Sequence, residues 1–293
     1  MKIGYPCINT ELCTTSKTFR LASYSDERFL STVESNLNCL QHILQWNSEN
    51  DMFFFRISSG IVPFASHPVC TLDWQNIFAK QFRNIGQFIQ QKKMRIAMHP
   101  DQFVLINSES QEIFQRSVSE LVYHAEVLDL MQLNKTHKLQ IHVGGVYNDK
   151  EKSIARFITR FALLPNSVKA RLVIENDDRL YSLKDCLAIS KDTAVPILFD
   201  TFHHLLYNNN EALYEAMDKA FFTWKEKDGV PMIDYNSQEQ GMRIGKHAQT
   251  IDSKDFHAFL SGLKRYDFDV MLEIKDKQAS AYKALSCLRV LEK

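Results

Sequence analysis

Six side chains of metal-binding type stand at the ends of short apolar runs. They are His99 after Met94–Met98, His142 in Leu139–Val143, Glu175 closing Arg171–Glu175, Asp200 closing Pro196–Asp200, Asp234 closing Val230–Asp234 and Glu273 in Val270–Ile274. A charge or imidazole inside an apolar run is costly unless it is paired or bound to a cation. One such residue has many explanations, whereas six in the same place relative to their runs share a cause, and a multinuclear metal centre supplies it. His203, three residues beyond Asp200, offers a further imidazole, as do His247 and His67 in loop-like segments. Mixed nitrogen and oxygen donors point to transition metals rather than to Mg²⁺ or Ca²⁺ in an all-oxygen site. A carboxylate such as Glu175 shared between ions about 3.5–4 Å apart gives the geometry that activates water and stabilises both oxygens of an in-line phosphoryl displacement. His42, His124, His137, His204 and His257 fall outside this pattern and are expected to serve structure or solvation.

The elements that must position these residues are legible from hydrophobic patterning. Together with Lys2–Tyr5 and Phe53–Ile57, the six runs make eight candidate strands, rich in Ile, Val, Leu and Phe as buried parallel strands are. Between them lie amphipathic stretches. In Asp26–Trp46, Phe29, Val33, Leu37, Leu40 and Leu44 recur at helical spacing behind a cap at Ser25 or Asp26, and Glu109–Met131 and Glu211–Phe222 read the same way. With a final helix over Asp276–Leu291, the alternation predicts an α/β chain forming a single (β/α)8 TIM barrel over residues 1–293. An open doubly wound sheet is the alternative, because pattern counts strands without showing closure. The most loop-like segments, Ser58–Leu72 and Tyr235–Ile251, follow strand C-termini, the rim on which such barrels carry their active sites.

Composition narrows the class. Hydrophobic residues make up 45% and charged residues 24%, and the formal net charge is zero, so no global basic field marks a nucleic-acid binder. The six cysteines are scattered without a C-x-x-C pair, which predicts reduced thiols. No apolar run reaches the roughly 18–20 residues needed to cross a bilayer, so a cytoplasmic protein without a membrane role is expected.

Several strings together resemble the UV damage endonuclease (UVDE) family. They are Gly4-Tyr5-Pro6-Cys7-Ile8-Asn9, Arg56-Ile57-Ser58-Ser59-Gly60 running to Ser66-His67-Pro68, His99-Pro100-Asp101-Gln102-Phe103, Val173 to Asp178, Asp200-Thr201-Phe202-His203-His204, and Met271 to Lys277. Their order and spacing run from residue 3 to about 280. The resemblance implies a barrel that carries up to three divalent ions, usually manganese, with Zn²⁺ or Mg²⁺ as alternatives. It further implies a nick in double-stranded DNA directly 5′ of pyrimidine dimers and other lesions, leaving a 3′-hydroxyl, with no obligatory protein partner. It assigns His99, His142 and Glu175 to one ion, Glu175, Asp200, Asp234 and Glu273 to a second, and His203 with His247 to a third. His67 is then expected beside the scissile phosphate, Gln102 and Phe103 as probes of the duplex, and Tyr5 and Asn9 near the lesion.

Two positions depart from the family pattern. Met232-Ile233-Asp234 stands where Lys-x-His is usual, and Phe103 where a tyrosine often follows the glutamine. Asp234 can still be a ligand, but Met232 has no charge, and Lys246 beside His247 is the sequence's candidate for the missing cation. An abasic-site endonuclease or a sugar isomerase on the same barrel, and a damage-binding protein that has lost catalysis, are the competing readings.

Overall fold

A computed structural model describes residues 1–263 and 267–291. Eight parallel strands close into a barrel, which decides for closure against the open sheet. They are β1 (Ile3–Pro6), β4 (Phe54–Ile57), β5 (Arg95–Met98), β6 (Lys138–His142), β7 (Leu172–Glu175), β8 (Ile197–Asp200), β9 (Met232–Tyr235) and β10 (Asp269–Leu272). Each lies within two residues of its predicted bounds. A short hairpin, β2 (Ile8–Asn9) with β3 (Cys13–Thr14), follows β1 and had no signal in the sequence, being two residues a side.

Helices cover the outside. They are α1 (Asp26–Glu49), α2 (Trp74–Ile77), α3 (Ala79–Gln91), α4 (Gln111–Leu130), α5 (Lys150–Ala162), α6 (Asn166–Lys169), α7 (Leu183–Thr193), α8 (Thr201–Leu206), α9 (Leu213–Phe221), α10 (Ser253–Ser261) and α11 (Gln278–Leu291). The α1 stripe of Phe29, Val33, Leu37, Leu40 and Leu44 is buried against the strands, and Ser25 caps the helix by accepting from the Arg28 amide at 3.2 Å. No helix among the described residues is long and apolar enough to cross a membrane.

Strand periodicity divides the barrel interior into tiers. Phe54, Ala97, Val173, Leu198, Met232 and Met271 form an apolar plug with Trp224. Two residues along each strand toward the C-terminal rim, the same inward parity gives Arg56, His99, Glu175, Asp200, Asp234 and Glu273. On the other side of the plug lies a charged tier in which Arg95 pairs with Asp269 at 2.9 Å and Lys138 with Asp228 at 2.7 Å, both guanidinium and ammonium facing the Trp224 ring. Arg95 is thus an interior residue of β5. Burial pushes its pKa down and Asp269 opposes that.

One expectation is corrected. Cys13 and Cys39 form a disulfide tying β3 to α1, while Cys7, Cys70, Cys186 and Cys287 are free. The two partners are 26 residues apart on different elements, and nothing in their spacing marked them as a pair.

Candidate metal centre

The inward parity of β7 places Glu175 at the middle of the C-terminal mouth, 1% exposed, and the other candidates gather around it. Its Oε2 lies 3.4 Å from His99 Nε2 and 3.7 Å from His142 Nδ1, and its Oε1 lies 3.1 Å from His203 Nδ1. Three overlapping groups have ligand atoms within 4.8 Å of one another: His99, His142 and Glu175; Glu175, Asp200 and His203; Asp200, Asp234 and Glu273. Seven of the eight predicted ligands are therefore together. The eighth, His247, sits at the edge, its Nδ1 4.0 Å from Glu273 Oε2.

Backbone carbonyls orient the imidazoles. His99 Nδ1–H donates to Pro100 O at 2.8 Å, His203 Nδ1–H to Asn176 O at 3.0 Å and His247 Nδ1–H to Glu273 O at 3.1 Å. At His99 this bond leaves Nε2, the nitrogen facing Glu175, as the lone-pair nitrogen, the usual arrangement behind a metal-bound histidine. Asp200 caps α8 by accepting from the His203 amide on Oδ1 at 2.7 Å, and Asn176 clasps its backbone through two 3.0 Å bonds. The cap fixes the turn that brings His203 beside Asp200.

The donor set fits a divalent cation. His142 Nδ1, Asp200 Oδ2 and Asp234 Oδ1 are buried with no hydrogen-bond partner, and all three residues belong to the ligand groups, Asp200 to two of them. Orphaned buried polar atoms are rare because each costs about 1–3 kcal/mol, so their clustering calls for a positive ligand. Protonation shows the same crowding of negative charge. Burial lowers the pKa of His203, yet Asp200 and Glu175 beside it carry it up to about 11. Burial raises Asp234 to about 7, against the opposing pull of Arg56 and with the help of Glu273 and Glu175.

Three participants were missed in the sequence. Arg56 donates through NH1 to Asp234 Oδ2 and to Gln140 Oε1, both at 2.9 Å, and through NH2 to Glu273 Oε1. Gln140 Nε2 then bridges Glu175 Oε2 at 2.7 Å and Asp234 Oδ2 at 2.6 Å, and Asn176 is the third. Arg56 is a buried cation of the centre, paired with Asp234 and Glu273. Lys246 lies in the loop after β9, where its backbone pairs with Arg243 and Glu239. Met232, below Asp234 on the same strand, belongs to the apolar plug.

The predicted DNA-facing residues divide. Phe103 is 59% exposed, on the loop that separates two clefts of about 640 and 1120 Å³. Gln102 lines the first cleft with His99, His142, His203 and His247, whereas Phe103 lines the second with His67. His67 is exposed and outside the three ligand groups, its Nδ1 accepting from the Val69 amide at 3.1 Å. Tyr5 and Asn9, expected near the lesion, are buried: Tyr5 OH donates to Asn47 of α1 at 2.6 Å and accepts from Asn9 Nδ2 at 3.0 Å. The cause is strand parity. Gly4 faces the barrel axis, which turns Tyr5 outward against the helix.

The family profile described as UV-endonuclease UvdE matches residues 1–293. A UV DNA damage endonuclease of Clostridium perfringens is 38% identical over 298 residues, covering 100% of this chain and 72% of that protein. One of Bacillus mycoides is 33% identical over 288 residues, covering 94% of this chain and 91% of that protein. The crystal structure of SacUVDE superposes with a TM-score of 0.96 at 45% identity, covering 100% and 99% of the two chains. Endonuclease IV from Thermus thermophilus, at 16% identity and a TM-score of 0.61 over 87% and 94% of the chains, shares the fold.

Proposed function

The chain belongs to the UV-endonuclease family UvdE, and from that premise we propose that it nicks double-stranded DNA immediately 5′ of UV photoproducts and other distorting lesions, leaving a 3′-hydroxyl. The observation that carries the reading is the convergence of seven imidazole and carboxylate side chains, Glu175 among them, at the mouth of an open cleft. His99, His142, Glu175, Asp200, His203, Asp234, Glu273 and His247 would hold up to three divalent ions; the family resemblance makes manganese the expected metal, and the mixed donors also suit zinc. Such ions supply Lewis-acid stabilisation of the phosphoryl oxygens and an acidified water as nucleophile.

The chain's own residues do the rest. Glu175 offers one oxygen to the His99–His142 side and the other to the His203 side, so it sets the spacing of the centre. His67 lines the adjoining cleft, where it would meet the phosphate, and Lys246, between Gly245 and His247 of the first cleft, would add a positive charge beside it. Gln102 and Phe103 stand on the loop between the clefts, where an exposed ring can fill the gap left by bases that leave the stack. A weakly paired lesion lowers the unstacking cost, which is how a site without base-specific contacts prefers damage. Replacing Phe103 with Ala should weaken binding to a dimer-containing duplex about tenfold, the order of one base–aromatic stack, and leave binding to undamaged duplex unchanged. An equal loss on both, measured by fluorescence anisotropy, would instead make Phe103 a general contact.

The deciding experiment is incision of a 5′-labelled duplex carrying one dimer, beside undamaged and abasic duplexes, with manganese, with magnesium and with a chelator. The proposal expects metal-dependent cleavage at the bond 5′ of the dimer, with an end that a polymerase extends. Cleavage of the abasic duplex alone would reassign the chain to abasic sites. Tight binding without cleavage would make it a damage reader.

A further inference from the structure

Arg56 is a guanidinium locked among groups that would hold ions. Its side chain is 5% exposed, and it faces Asp234 and Glu273 from across the barrel. Each contact uses one oxygen of its carboxylate. NH1 takes Asp234 Oδ2 and leaves Oδ1 orphaned, and NH2 takes Glu273 Oε1 and leaves Oε2 toward His247. An ion in the Asp200–Asp234–Glu273 group would thus take the remaining oxygens with a fixed positive charge behind them.

Charge balance gives this placement a consequence. Glu175, Asp200, Asp234 and Glu273 bring four carboxylates to the centre, and Arg56 answers one of them. Two divalent ions already outweigh the remainder, and a third would stand beside a guanidinium that keeps its proton and cannot withdraw. The side chain at position 234 matters here, because a carboxylate gives Arg56 a charged partner on β9 that an imidazole would not.

We propose that Arg56 competes with one ion for its carboxylates: it holds Asp234 and Glu273 in register and makes the Asp200–Asp234–Glu273 corner the weakest of the three ion positions. The inference rests on the metal-centre reading above and sharpens it to two tightly held ions and one loosely held. Arg56 acts through the ligands and is a positioning residue.

The test is manganese binding to the metal-stripped full chain by titration calorimetry, with elemental analysis after dialysis, for wild type, R56M and R56K. Removing the charge in R56M should tighten the weakest binding step at least tenfold and retain one more ion per chain, while R56K keeps the wild-type number. A merely structural arginine would not tighten anything when lost. R56M with wild-type ion number and affinities, or R56K that also gains an ion, would overturn the proposal. Should stripped R56M not fold, the variant is purified with manganese and its metal content read directly against wild type prepared alike. A wild-type chain that binds no divalent ion would bring down the metal-centre reading itself, an outcome distinct from equal binding in all three proteins.

Discussion

Replacing Glu175 with Gln should lower incision of dimer-containing DNA about a thousandfold while leaving the fold and binding to damaged duplex intact. Glutamine keeps the volume of the side chain, so the apolar plug beneath it and the Gln140 contact beside it lose little packing. What disappears is one negative charge at the point where two ligand groups share a residue. Bridging ligands stabilise charge at both ends of a phosphoryl displacement, a contribution of several kcal/mol, and each 1.36 kcal/mol is tenfold in rate. Circular dichroism, Kd for the damaged duplex and single-turnover incision separate the three effects. Wild-type turnover in the Gln variant would remove Glu175 from the mechanism, and lost folding would show that the carboxylate serves stability first.

The second large effect lies far from the site. Gly86, on α3, faces the end of α4 so closely that a Cβ there would stand 1.8 Å from the carbonyl oxygen of Met131 and 2.6 Å from its carbon. Alanine is favoured over glycine inside a helix by about 1 kcal/mol, so propensity alone would make Gly86→Ala stabilising. The obstacle is backbone, which cannot rotate away as a side chain could. Relieving it means moving one helix, and overpacking of that kind costs about 3 kcal/mol. The clash should win, giving a net loss of about 2 kcal/mol in urea-induced unfolding. A variant as stable as wild type or more so would show that the helices separate at little cost.

The difference between these two positions is also the difference in what the sequence disclosed. Glu175 was legible because a carboxylate ending the run Leu172-Val173-Ile174 violates the apolar pattern, and a violation repeated at strand after strand becomes a site. Eight apolar runs fitted a closed barrel, but closure itself was decided only by the pairing of β1 with β10. Gly86 carried no sign, since its meaning lies in the distance to residue 131. Arg56 was hidden for a related reason: its carboxylate partners lie 178 and 217 residues away, and a single cation in an apolar run has many bland explanations. Gln140 and Asn176 are uncharged and matter only through the groups they bridge. The burial of Tyr5 and Asn9 was not legible either, because a shift of one residue reverses every side chain of a strand and register is not written in one strand alone.

Barrel closure joins the beginning of the chain to its end: β1 pairs with β10, and the Lys2 amide donates to Asp269 Oδ1 at 2.7 Å, 267 residues away. During synthesis at about 5–20 residues per second, β1 therefore waits roughly 13–50 s for its last neighbour. Through that interval the nascent barrel shows an open edge, the kind of template on which strands from other chains add. The centre is likewise made in two parts. Arg56, His99, His142 and Glu175 emerge early, whereas Asp234 and Glu273, the carboxylates that Arg56 grips, come near the end. The ring and the centre are completed by the same event, the docking of the last strand, so a truncated product lacking β10 would be unfinished in both respects at once.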